Sequence, residues 1–223
     1  MKAERDNTRS MRLTAIDHQT LNQDGYVVIP SALDGSWVNE LLHAFDQAED
    51  ESGTQHVEIG TFTKDREAWD ALSHHPLIDD AARYVLGHPS YALDIHGRNP
   101  LPGFGQQGLH SDWKPRSLSS PFVVVTVIFM LDAFTANNGA TRVVPGTHRV
   151  TAPIPRSYAQ PLAHHPEEVV VTGSSGSALI LNGHLWHSGT RNLSGGQRRA
   201  VQAAIRAKKT EVSAKVERHE NHL

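Results

Sequence analysis

Three side chains stand out for the chemistry they could do together: His110, Asp112 and His187. His110 and Asp112 flank Ser111 in a stretch that reads as a strand, and a strand sends every second side chain to the same face. One imidazole and one carboxylate then face one cavity. His187 follows an apolar stretch and precedes Ser188-Gly189, and it supplies a second imidazole. Two histidines and a carboxylate grip a metal on one side and leave the other side open, the ligand set of non-haem Fe(II) oxygenases. A His-x-Asp tripeptide is common by chance. It gains weight here from His187, from Arg198 eleven residues later, and from the run Asn138-Gly139-Ala140-Thr141-Arg142-Val143-Val144-Pro145-Gly146-Thr147-His148-Arg149.

Composition bounds the alternatives. The 223 residues suit one domain, and the formal charge of −3 gives no reason to expect nucleic acid or an anionic membrane as partner. The chain has no cysteine, which excludes disulfides, a thiolate zinc ribbon and an iron–sulfur cluster. Met1–Ser10 is polar, with no apolar signal segment. No apolar stretch reaches membrane-spanning length; the longest, Phe122–Leu131, is interrupted by Thr126 and reads as a buried strand. A cytoplasmic location is expected. The chain holds fifteen histidines, most of them expected to be incidental.

The elements that must carry these residues follow from pattern. Residues 1–14 read as a flexible leader, 15–90 as mostly helical support, 91–207 as the strand-rich body and 208–223 as a charged tail. Asp24-Gly25 is a turn, and Tyr26–Ile29 before Pro30 is a short strand. In Ser36–Glu51, Trp37, Val38, Leu41, Leu42, Phe45 and Ala48 recur at helical spacing, with Asp34 or Ser36 as cap. Residues 52–64 suggest a strand pair around Gly60. Asp65–Ser73 and Leu77–Leu86 read as helices parted by Pro76, with His74, His75 and His88 exposed or capping at their junctions. Strands are expected at Tyr91–Arg98, Gln106–Trp113, Phe122–Asp132, Thr141–Val144, Glu168–Thr172, Ser177–Leu181, Leu185–His187 and Arg198–Ala207, with a loop over 151–167 as lid or rim. Helices first and about eight strands after them predict a helical layer on a double-sheet jelly roll, a cupin-like double-stranded β-helix.

Taken together, Asp24-Gly25-Tyr26-Val27-Val28-Ile29-Pro30, His110-Ser111-Asp112-Trp113, the Asn-Gly to Pro-Gly-Thr-His run, and His187-Ser188-Gly189-Thr190-Arg191-Asn192-Leu193-Ser194 followed by Arg198 resemble the phytanoyl-CoA dioxygenase family. These are Fe(II)/2-oxoglutarate oxygenases with a double-stranded β-helix. The resemblance implies that His110, Asp112 and His187 hold Fe(II) and that Arg198 holds the distal carboxylate of 2-oxoglutarate. A planar guanidinium suits that task, because it matches a carboxylate with two parallel bonds and keeps its charge. The implied reaction consumes O2 and 2-oxoglutarate, releases succinate and CO2, and oxidises a C–H bond of a small-molecule substrate, most simply to a hydroxyl. Halogenating members carry a small residue in place of the carboxylate, so Asp112 argues for oxygenation.

Other candidates keep two readings. Of the neighbours Arg198 and Arg199, alternation lets only one face the pocket, and the eleven-residue spacing from His187 is similar to that of the resembled family at Arg198. Ser188, Asn192 and Ser194 either support the co-substrate or shape the turn. Gln106 shares strand parity with His110; Gln107 takes its place if a bulge intervenes at Gly108. Arg98 and Thr126 either line the cavity or make structural hydrogen bonds. The candidate cofactor residues are thus Arg198, Gln107, Thr126 and Ser188. Trp113 walls the pocket or is plain core. His148 reads as a turn residue, and His96, His164, His165 and His184 have no strong claim. The competing functions are a same-fold metal isomerase or lyase without 2-oxoglutarate, and a non-catalytic cupin-like binding protein. The substrate expected is a natural-product intermediate or an amino-acid-like compound.

Overall fold

The computed structural model describes residues 12–52, 56–57, 66–87 and 91–208. Of the stretch 52–64, where a strand pair is expected around Gly60, only residues 52 and 56–57 are described, and His88 and nearly all of the tail lie outside the described residues. The first helix, α1 (Ala15–Asp24), is one that the periodicity does not announce, because only Leu21 of it is buried. Its start is local chemistry: Thr14 Oγ1 accepts from the Asp17 N–H at 3.2 Å while Asp17 accepts from the Thr14 N–H at 2.8 Å, a capping box. Leu13 is already buried and its N–H donates to Asp80, so the fold begins inside the stretch expected as a leader. The helix stops at Gly25, whose φ of 84° is left-handed, and a Cβ there would lie 2.5 Å from His148 Nδ1.

Strand β1 (Tyr26–Ile29) follows, then α2 (Gly35–Ser52), with Asp34 Oδ1 accepting from the Trp37 N–H. Its apolar stripe, Trp37, Val38, Leu41, Ala44, Phe45 and Ala48, is buried as the spacing predicts. After β2 (His56–Val57) come α3 (Arg66–Ser73) and α4 (Pro76–Ala81), the latter prolonged by a wider turn over Ala82–Leu86. His75 caps α4: its Nδ1 accepts from the Leu77 N–H, while Nε2–H donates to the Ala32 carbonyl. Burial lowers its pKa, in keeping with a neutral ring that donates and accepts at once.

The remaining strands are β3 (Tyr91–Arg98), β4 (Val124–Met130), β5 (Thr141–Val144), β6 (Val169–Val170), β7 (Ala178–Asn182), β8 (Trp186–Gly189) and β9 (Ala200–Ala207). They form an antiparallel six-stranded sheet in the order β1-β7-β4-β9-β3-β2 and a three-stranded sheet β6-β5-β8. This is the expected double-stranded β-helix with its helical layer. The outer face of the large sheet, including Val125, Val127, Phe129, Ile180, Val201, Ala203 and Ile205, packs on the helices. The inner face, including Ile128, Met130, Leu179, Leu181 and Ala200, packs with Val143 and Leu185 of the smaller sheet's side. Because β4 and β7 are covered on both faces, their sequences are continuous apolar runs and not alternating ones. Gly97 lets α2 approach β3, since a Cβ there would lie 2.5 Å from the Phe45 ring.

One expectation fails locally. Gln106–Trp113 is not a strand: within it only His110 forms a bridge, to His187. Among the described residues no helix is long and apolar enough to cross a membrane.

Candidate metal and co-substrate site

The mouth between the two sheets contains a cavity of about 250 Å³. Every residue singled out for the metal or co-substrate, His110, Asp112, His187, Arg198, Gln107, Thr126 and Ser188, lines it. His110 and Asp112 face one cavity, but not through strand alternation. Irregular backbone at 106–113 is held in place by individual bonds. His110 and His187 exchange backbone N–H and C=O bonds, both 2.9 Å, and the Asp112 N–H donates to the Gly183 carbonyl at 2.7 Å.

One ligand atom from each of His110, Asp112 and His187 lies within 4.8 Å of the others. His187 is buried, His110 half-buried, and Asp112 faces the opening. Both rings are oriented from behind. His110 Nδ1–H donates to the Gly108 carbonyl at 3.0 Å and His187 Nδ1–H to the Leu185 carbonyl at 2.8 Å. That leaves Nε2 of each ring as the free ligand atom, the arrangement that fixes tautomer and direction at metal centres. The carboxylate is oriented in the same way, with Thr126 Oγ1 donating to Asp112 Oδ2 at 3.2 Å and Asp112 Oδ1 lying 3.6 Å from His187 Nε2. Burial, and then the neighbouring His187, push the His110 pKa down, which keeps its ring neutral and able to ligate. The donor set fits a first-row divalent metal, with one face open.

At the other end of the cavity Arg198 is 5% exposed. Its Nε has no partner and its guanidinium lies 4.5 Å over the Phe134 ring. Burial, with Arg98 nearby, pushes its pKa down to about 9. A buried cation without an acid is costly, and an anion in the cavity removes that cost. Arg199 points the other way and is held by Asp132 and Asp46, as strand alternation requires.

The side walls are built on Arg142, which is 3% exposed and bonds to four groups. It donates to Ser188 Oγ, the Gln107 carbonyl, the Ala163 carbonyl and Glu168 Oε2. The 151–167 loop is therefore fastened to the 106–113 segment, which is reinforced by the Leu109 N–H donating to the Tyr158 carbonyl. Gly108 permits this contact, because a Cβ there would lie 1.9 Å from the Ala159 carbonyl oxygen.

Of the paired readings, Gln107 lines the cavity and Gln106 does not. Asn192 and Ser194 shape their turn, Asn192 tying the Pro100 and Gly196 carbonyls together. Trp113 is neither pocket wall nor core: it is exposed and lies outside the cavity. His148 is a buried turn residue, as read. His96, set aside in the sequence, also lines the cavity, as do Gln202 and Arg206, which the sequence reading did not single out. Counting in steps of two from Arg98 on β3 and from Arg198 into β9 finds all three.

The family model of phytanoyl-CoA dioxygenase matches residues 21–200. The chain belongs to that family. The uncharacterized protein Rv1501 of Mycobacterium tuberculosis is 37% identical over 100 residues, 45% of this chain and 34% of its own length. The chain thus spans about a third of that relative. The dioxygenase af480 of Aspergillus fumigatus is 25% identical over 216 residues, covering 88% of this chain and 68% of its own. Among solved structures, HygX of Streptomyces hygroscopicus with nickel and 2-oxoglutarate bound has a TM-score of 0.73 at 16% identity, covering 88% of this chain and 87% of its own. The epimerase SnoN from nogalamycin biosynthesis has a TM-score of 0.68 at 19% identity, covering 86% and 82%. The expected cofactors agree with these findings. Structural neighbours hold nickel or iron and 2-oxoglutarate, and the described residues of this chain supply one His-Asp-His group suited to a metal.

Proposed function

We propose that this chain is an Fe(II)/2-oxoglutarate-dependent dioxygenase that hydroxylates a small organic molecule, either a natural-product intermediate or an amino-acid-like compound. The observation that carries the reading is the pairing of a His-Asp-His group with a buried guanidinium that forms no ion pair among the described residues, at opposite ends of one cavity. His110, Asp112 and His187 are the proposed iron ligands, and Arg198 the proposed anchor of the distal carboxylate. Iron with 2-oxoglutarate supplies the oxidative decarboxylation that drives oxidation of a substrate C–H bond. The chain's residues supply placement. The Gly108 and Leu185 carbonyls aim the two imidazoles, Thr126 aims Asp112, and Ser188, fixed by Arg142, stands beside His187. Ile128 and Leu181, from neighbouring inward-facing rows, give the cavity an apolar wall beside these groups. The retained carboxylate favours oxygenation over halogenation, and the natural-product setting of the structural neighbours favours the substrate class.

The first test is spectroscopic. Adding 2-oxoglutarate to anaerobic, Fe(II)-loaded protein is expected to give a weak visible charge-transfer band. Its absence in folded, iron-loaded protein rules the reading out. A succinate-release screen against small metabolites then finds the substrate. Product analysis separates hydroxylation from epimerisation, the reaction named for SnoN.

A further inference from the structure

The cavity holds a second guanidinium that the triad does not use. Arg98, the last residue of β3, is half-buried and lines the same cavity as Arg198. No acid among the described residues offsets it, and burial alone holds its pKa below the ordinary arginine value.

The strand register locates it. Thr126, which binds Asp112, is paired with Ala204, so the metal end of the cavity lies at that row. The next inward-facing row is Ile128–Gln202–His96, where His96 Nε2 and Gln202 Oε1 lie 2.7 Å apart. The row after that is Met130–Ala200–Arg98. Arg198 lies two residues before Ala200, on the same side. Arg98 therefore roots at the deep end, four residues or about 13 Å along the strand from the metal row, and Arg198 roots two residues deeper. Arg206 roots on the opposite side of that row and is offset by Asp94 at 3.6 Å. A substrate entering from that end meets Arg206 before Arg98. Two like charges in one buried pocket repel, and each guanidinium is a fork of donors that matches a carboxylate. A single carboxylate between them satisfies both.

We propose that Arg98 and Arg198 together clamp the distal carboxylate of a 2-oxo dicarboxylic acid, and that Arg98 is a specificity residue selecting such acids over 2-oxo acids that lack the distal charge. The proposal rests on the reading of the site as a 2-oxoglutarate site.

The test is a double-mutant cycle with one deletion on the ligand. Calorimetry on anaerobic Fe(II)-loaded protein compares 2-oxoglutarate with 2-oxopentanoate, which has the same chain length and no distal carboxylate. Arg98→Met is expected to weaken 2-oxoglutarate by about tenfold or more and to leave 2-oxopentanoate within about twofold. Arg98→Gln, which keeps a polar head, serves if the Met variant does not fold. Arg98→Lys is expected to fall between wild type and Met. If both acids bind the variant as they bind wild type, Arg98 plays no part and the proposal is overturned. It is equally overturned if both weaken by the same factor, since Arg98 then supports the shape of the site and not a carboxylate. Failure of wild type to bind 2-oxoglutarate marks failure of the co-substrate reading itself, whereas normal wild-type binding with an indifferent Arg98 variant marks failure of the clamp alone.

Discussion

Replacing Arg198 with methionine separates a binding role from a structural one, because the two predict opposite signs. Arg198 is 5% exposed, its Nε has no partner, and burial pushes its pKa down to about 9. Among the described residues no acid forms an ion pair with this buried charge, and Asp132, which acts on it, is held by Arg199. Exchange of buried charge for an apolar side chain of similar volume is neutral or stabilising, by about 1–4 kcal/mol in favourable cases. The cation–π contact with Phe134 is lost, which costs about 1 kcal/mol. Ligand-free Arg198→Met is therefore expected to melt at or above the wild-type temperature. With 2-oxoglutarate at about 100 times its Kd, wild type gains about 2.7 kcal/mol. In a domain of 150–250 residues that is a rise of roughly 5–10 °C. Loss of a charge-assisted pair costs about 3 kcal/mol, or about 150-fold in affinity, and leaves the same ligand concentration worth only about 0.3 kcal/mol. The variant's ligand-induced shift should then be under about 1 °C. The assay is thermal unfolding of anaerobic, metal-loaded protein with and without 2-oxoglutarate. A variant that melts far below wild type yet keeps the full shift refutes the reasoning, because Arg198 would then be a structural cation.

The ligand assignment predicts that Asp112→Ala loses at least ten- to hundredfold in metal affinity, seen as metal content after dialysis; full retention sinks the assignment. Arg142→Met leaves Glu168 without its guanidinium and removes four bonds, so a loss of about 3–5 kcal/mol is expected in urea unfolding. Gly108→Ala collides with the Ala159 carbonyl, so it should free the 151–167 loop to limited proteolysis; an unchanged cleavage pattern counts against that packing. His148 makes acid stability testable. Burial pushes its pKa from 6.5 down to about 4, against the bond its Nε2–H donates to the Asn22 carbonyl, and its buried Nδ1 has no partner to receive a second proton. The unfolded chain takes up that proton first, so stability is full above pH 6.5 and falls as pH drops towards 4, by up to about 3 kcal/mol. Urea titrations across that window check it. His148→Gln, which keeps a donor but does not titrate, should flatten the slope.

Pattern alone identified the elements whose signal is local. The stripe of α2, the apolar runs of β4 and β7 and the Asn-Gly and Pro-Gly turns are legible because burial on a helix face or inside a two-sided sheet leaves a direct trace in residue order. The site residues are legible for a different reason: each is a residue type with few other uses at that spacing. Helix α1 is not legible from periodicity, since it buries one side chain and rests on a capping box. The segment 106–113 misled because its geometry comes from single long-range bonds to Gly183, His187 and Tyr158, which no local pattern encodes. Gln107 over Gln106 and the outward turn of Trp113 follow from that irregularity.

The sequence by itself therefore determined the chemistry available to this protein, namely two imidazoles, a carboxylate and a guanidinium spaced for one family of folds. Only the tertiary structure decided how they are aimed. The carbonyls behind His110 and His187 are local, each two residues earlier, but the bridge that joins the two histidine segments, Thr126 behind Asp112 and Arg142 behind the walls all join parts distant in the chain. The meeting of Arg98 with Arg198 at the deep end is likewise a matter of register between β3 and β9, and register is written in pairing across the sheet and not along the chain.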